Sequence, residues 1–114
     1  MPYIMIQTNA KIDAVRSQEI ASQISSFAAK QLSKPESVVM TAIEANTAMT
    51  FGGSAAPAAY VEVKSIGFPA AKAAEHSAAF CGFLEKELGL PKNRVFIEFT
   101  DIKGALWGYN GGTC

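Results

Sequence analysis

Apolar and polar positions keep two rhythms along this chain. YIMIQT (Tyr3 to Thr8) is a short β-rich run and predicts a strand. Downstream, Ile20, Ile24, Phe27 and Leu32 recur at helical spacing, with Gln23, Lys30 and Gln31 between them. Asp13 suits the N-cap of that helix, because its side chain can accept from free backbone donors. Pro35 stops the helix, and VVMTAIEA (Val38 to Ala45) reads as the next strand. MTFGGSAAP is a loop, since two glycines and a proline break both rhythms. AAYVEVKSIG then favours strand through Tyr60, Val61 and Val63. Pro69 fits the first turn of a second helix, on which Ala74, Ala78, Cys81, Leu84 and Leu88 mark one face. Gly89 and Pro91 end it. RVFIEF (Arg94 to Phe99) predicts a fourth strand, and the tail WGYNGGTC one more short strand.

The order is β-α-β, loop, β-α-β. Leu32, Pro35 and Val39 have the same spacing as Leu88, Pro91 and Val95, so one unit is used twice. A strand–helix–strand unit normally gives parallel strands with a right-handed crossover. Two such units make an α+β fold: a four-stranded mixed sheet with two helices on one face. The opposite face would stay open. Tyr3 and Met5 alternate with Ile4 and Ile6, so both sides of the first strand are hydrophobic. An apolar face cannot stay wet, and self-association is the expected cover.

Composition narrows the function. The chain has 114 residues, which suits a single domain spanning 1–114. Ten basic residues balance ten acidic ones, which argues against a general nucleic-acid binder. No apolar run reaches the length of a membrane span, and no secretory signal is visible. The expected location is therefore cytoplasmic, or outside the cell by a route without a signal peptide. Cys81 and Cys114 form no CxxC and, with His76 alone, make a poor metal set; Cys81 reads as a buried small residue.

Proline stands directly behind the initiator methionine. It is tolerated at a strand's first residue, where no ladder donor is needed. Alternatively Met1 is removed, and Pro2 becomes a terminal secondary amine and a base. Position alone leaves both readings open.

MPYIMIQTN, SKPESVVM, MTFGGSAAPAAY, VKSIG, LPKNRVFIEF and WGYNG together resemble the macrophage migration inhibitory factor family of the tautomerase superfamily. The resemblance spans almost the whole chain. It implies a homotrimer whose sheets surround a central channel, and keto–enol tautomerisation of phenylpyruvate-like or dopachrome-like compounds. It also implies that no cofactor or metal is used and that Pro2 is the catalytic base. Keto–enol exchange needs a proton moved between carbon and oxygen, which one base near neutrality can do if the developing oxyanion is stabilised. Burial and a nearby cation both lower an amine's pKa. By the resemblance, Lys34 is that cation and binds the substrate carboxylate, while Ser65 and the main-chain amide of Ile66 bind substrate. Trp107 and Tyr109 resemble the hydrophobic rim.

Two positions depart from the family. Phe96 and Glu98 stand where several members carry tyrosine and asparagine that reach into a neighbouring subunit's pocket. Phe96 keeps the aromatic wall and loses a hydrogen bond worth about 0.5–1.5 kcal/mol. Glu98 would repel a carboxylate substrate. The redox CxxC of animal members is also missing, with Ala58 and Val61 in its place. Three readings result: a tautomerase using Pro2, a cytokine-like binding protein with residual tautomerase activity whose receptor is unknown, and another reaction of the superfamily. The third is the weakest, because hydratase- and dehalogenase-type relatives use additional arginines and only Arg16 and Arg94 are present.

Overall fold

Both strand–helix–strand units are present. In the computed structural model, which describes residues 1–114, β1 spans Pro2–Thr8, α1 Ala14–Gln31 and β2 Met40–Glu44. The second unit places β3 at Ala59–Ile66, α2 at Ala73–Leu88 and β4 at Val95–Ile102. The strand order is β2-β1-β3-β4. Each unit contributes a parallel pair, and β1 and β3 join the units antiparallel, from Pro2 opposite Ser65 to Thr8 opposite Ala59. Parallel pairs need a crossover, which each helix supplies.

Alternation sorts the sheet into two faces. Ile4 and Ile6 of β1 and Val61 and Val63 of β3 are fully buried. They form one core with Ile20 and Ile24 of α1 and with Phe80 and Leu84 of α2. Both helices therefore cover the same face. Burying each such side chain contributes roughly 1.5–3 kcal/mol relative to leaving it in water. The other face is uncovered, and large side chains there remain wet: Met40 is 67% and Phe96 61% exposed.

The buried face of α2 differs from the expected stripe. His76, Phe80 and Leu84 point inward, while Ala74 and Ala78 are exposed and Cys81 is half-buried. The bulk of Phe80, packed edge-on against Phe27 at 5.2 Å, outweighs an alanine stripe that would bury much less area. Strand starts also differ. Pro35 and Pro91 are each followed by a short 3₁₀ turn, Glu36–Val38 and Lys92–Arg94, so Val38 and Arg94 precede their strands. Pro69 likewise precedes a 3₁₀ turn, Ala70–Lys72, and α2 begins after it.

The tail makes two short strands, β5 (Gly108–Tyr109) and β6 (Gly112–Thr113). Asn110 and Gly111 turn between them with φ of 52° and 79°, the conformation that Asn-Gly hairpins require.

Candidate active site

β1 begins at Pro2, which is fully buried. It sits in a cleft of about 580 Å³ shared with Met1, Tyr3, Met40, Trp107 and Tyr109. The tail hairpin forms one wall. It is fastened by the Cys114 N–H donating to the Trp107 carbonyl at 3.1 Å. A Cβ at Gly104 would come within 2.9 Å of the Cys114 carbonyl oxygen, so the tail packs on bare backbone there. The Met1 and Cys114 sulfurs are 3.1 Å apart. Expected residues Pro2, Trp107 and Tyr109 are thus brought together in one cleft.

The amino terminus at this cleft is electrostatically unusual. Its ammonium pKa is lowered from the ordinary 8.0, first by burial and then by the charge of Lys34, with Cys114 opposing. Lys34 comes from the exit of α1. Ser33 adopts the left-handed conformation (φ 54°), and the Lys34 N–H donates back to the Ala29 carbonyl at 2.9 Å. That closing turn turns the chain off the helix axis. Lys34 lines a second, smaller recess of about 260 Å³ together with Ser65. Ser65 is the antiparallel partner of Pro2, so the recess and the cleft flank one point of the sheet.

Three expected site residues stand elsewhere in the single chain. Ile66 is the last residue of β3, paired with Ile102, and lines neither cavity. Phe96 and Glu98 lie on β4, opposite Tyr60 and Glu62, outside the Pro2 cleft. The reason is topological: β3 separates β4 from β1, and Pro2 is level with the far end of β4. The Phe96 ring lies tilted against Phe51, with centroids 4.6 Å apart. Glu98 faces Tyr60, whose phenol pKa is raised by desolvation and then by the Glu98 and Glu62 carboxylates.

The sequence profile described as "Macrophage migration inhibitory factor (MIF)" matches residues 1–114. The chain belongs to that family. It is 40% identical to a macrophage migration inhibitory factor homologue from Brugia malayi, covering 99% of this chain and 98% of that one. It is 34% identical to D-dopachrome decarboxylase-B of Xenopus laevis, over 97% and 95% of the two chains. A solved macrophage migration inhibitory factor homologue from Prochlorococcus marinus matches with a TM-score of 0.89 and 40% identity, covering 97% of each chain.

Two features of this family member escaped the sequence. Lys64, opposite Tyr3, lines the Pro2 cleft and adds a cation to it. Only its alternation with Val63 and Ser65 could have placed it on that side of the sheet. Arg94 is the other. Its guanidinium donates to the carbonyls of Phe51, Ser54, Ala56 and Pro57 at 3.0–3.2 Å and lies 5.2 Å over the Phe51 ring. It fixes the FGGS loop, where Gly52 and Gly53 have positive φ and Phe51 bridges Ser54. Nothing in RVFIEF marks that arginine as a clamp.

Proposed function

We propose that the protein is a keto–enol tautomerase of phenylpyruvate-like or dopachrome-like compounds, with Pro2 as its base once Met1 is removed. While Met1 remains, the Pro2 nitrogen is an amide with no basicity. The observation that carries the reading is the terminal amine's lowered pKa beside a fully buried Pro2, in an aromatic cleft flanked by lysines. The same burial and the same Lys34 charge act on a Pro2 amine one residue further on. The relative named D-dopachrome decarboxylase-B supports this chemistry.

The neutral Pro2 nitrogen takes a proton from the carbon next to the keto group. The C–H electron pair becomes the C=C bond, and the carbonyl π pair moves onto oxygen. The proton then returns to that oxygen, giving the enol, and the reverse sequence regenerates the ketone. Lys34 holds the substrate carboxylate and keeps the amine neutral. Trp107 and Tyr109 pack against the aromatic ring. Lys64 faces the negative charge that develops on oxygen.

The working assembly is a homotrimer. Its support here is the uncovered sheet face and the exposure of Met40 and Phe96. In such an assembly Phe96 and Glu98 reach a neighbouring copy's cleft, which one chain alone does not allow.

The decisive experiment compares purified protein with Pro2→Gly, which keeps an amine and loses the ring, on phenylpyruvate. A loss of about 10²–10⁴-fold in turnover is expected for removing an acid–base group. Equal slow rates would favour the cytokine-like binding reading. Intact mass of the active material should show Met1 absent, and active protein that retains it would refute the mechanism.

A further inference from the structure

The two helices begin differently. The α1 N-terminus is capped: the Asp13 carboxylate accepts the Arg16 N–H at 2.8 Å. The α2 N-terminus has no side-chain cap, and Lys72 occupies the capping position. The 3₁₀ turn before it, opened by Pro69, has none either. A lysine at the positive end of a 16-residue helix is unfavourable, and Glu75 is the one acid in that first turn.

The recess in front of this helix end holds further donors. Lys34 and Lys72 line it together with Ser65 and His76. Neither lysine has a salt-bridge partner, since the ion pairs of the chain all involve Arg16. His76 is only 5% exposed, and its Nδ1 accepts from the Gln31 side-chain amide at 2.9 Å. With that amide as donor, Nε2 is the ring nitrogen left to donate, and it has no partner in the protein and is not sealed off among the fully buried polar atoms. Ser65 is 2% exposed, and its hydroxyl makes only a long 3.5 Å contact to the Ile66 carbonyl. His76 thus keeps an unused donor, and the Ser65 hydroxyl a weakly held one, in a recess that two unpaired lysines line. Asp101 accepts the Phe68 N–H at 3.0 Å, and Glu75 lies exposed in the first turn of α2 without lining the recess.

We propose that this recess is an oxyanion site for the phosphoryl group of a small molecule, held by Lys34, Lys72, His76 and Ser65. A tetrahedral group turns oxygens toward donors in several directions, whereas a carboxylate's acceptor sites lie in one plane. The recess adjoins the Pro2 cleft through Lys34, so an occupant competes for the cation that the proposed tautomerase uses for its substrate. Phosphate binding therefore inhibits that reaction, and the site stands whether or not the reaction occurs.

His76 is the only histidine, so its imidazole signals in NMR are unambiguous. The full chain is titrated with inorganic phosphate at constant ionic strength, and with acetate in parallel. The expected result is a saturable His76 shift with phosphate and a much weaker response to acetate. Lys72→Gln, an exposed change, should weaken phosphate binding about tenfold or more, as loss of one charge-assisted bond predicts. His76→Gln, followed through the backbone amides of Gly67 and Lys72, checks the same point without the imidazole. A shift that never saturates, or one unchanged in Lys72→Gln, overturns the site. Equal response to acetate overturns the phosphoryl assignment. Co-sedimentation with phosphatidate vesicles would overturn the small-molecule source in favour of a lipid headgroup. Because the readout is the His76 signal, failure of the tautomerase assay leaves a positive result intact.

Discussion

The two helix exits are the same turn put to different uses. In the first half the chain reads Leu32, Ser33, Lys34, Pro35; in the second, Leu88, Gly89, Leu90, Pro91. Both have a left-handed residue in second place, Ser33 at 54° and Gly89 at 66°. Both run through proline into a 3₁₀ turn and a strand. The third position differs. Leu90 is fully buried in the core, whereas Lys34 is half-exposed at the mouth of a cavity. A repeated unit thus keeps one copy for stability and gives up burial in the other to place a charge beside the amino terminus.

Substitutions at matched positions break or sharpen that contrast. Leu90→Ala removes a core side chain and should cost about 2–5 kcal/mol, read from urea unfolding. Its counterpart Lys34→Met should leave unfolding nearly unchanged and cut kcat/KM for phenylpyruvate by about tenfold to a hundredfold, through loss of a charge-assisted bond of about 1.5–3 kcal/mol. The same variant tests the charge effect on the base. A cation disfavours the protonated amine, so its removal raises the amine's pKa. The acid limb of the pH–rate profile should therefore move up toward the ordinary 8.0, with activity at neutral pH falling. A limb that stays in place would separate Lys34 from Pro2. Gly89→Ala forces a Cβ into the left-handed region and should cost about 1–2 kcal/mol. Ser33→Gly relieves that strain in the other half and should stabilise by no more than about 1 kcal/mol. If it instead destabilised the chain, the serine would have a role beyond geometry.

The sequence carried the architecture well because period and punctuation agreed. The β-rich run YIMIQT, helical spacing through Ile20 and Ile24, and the Leu-Pro-Val echo all reported the same repeated unit. Alternation also placed Phe96 and Glu98 on one face. It failed on α2, where small alanines and large aromatics offered two stripes sharing Leu84, and size decided. The candidate cleft was legible where one short segment supplies each part, at Pro2 and in WGYNG, with Lys34 in the adjoining recess. It was not legible where strands must first be paired. Lys64 enters the cleft only because Tyr3 lies opposite it, and Arg94 clamps carbonyls some forty residues away.

The pairing of β1 with β3 also orients Pro2, the proposed base. Pro2 is inward because it shares parity with Ile4, Ile6 and Thr8, all held by one antiparallel ladder. A slip of a single step would swing the ring to the open side and bring Tyr3 in its place. No local contact at the terminus needs to prevent this. The whole length of the strand, through the apolar side chains it locks underneath, keeps Pro2 facing inward, so mutations far along β1 can reorient a ring that they never touch.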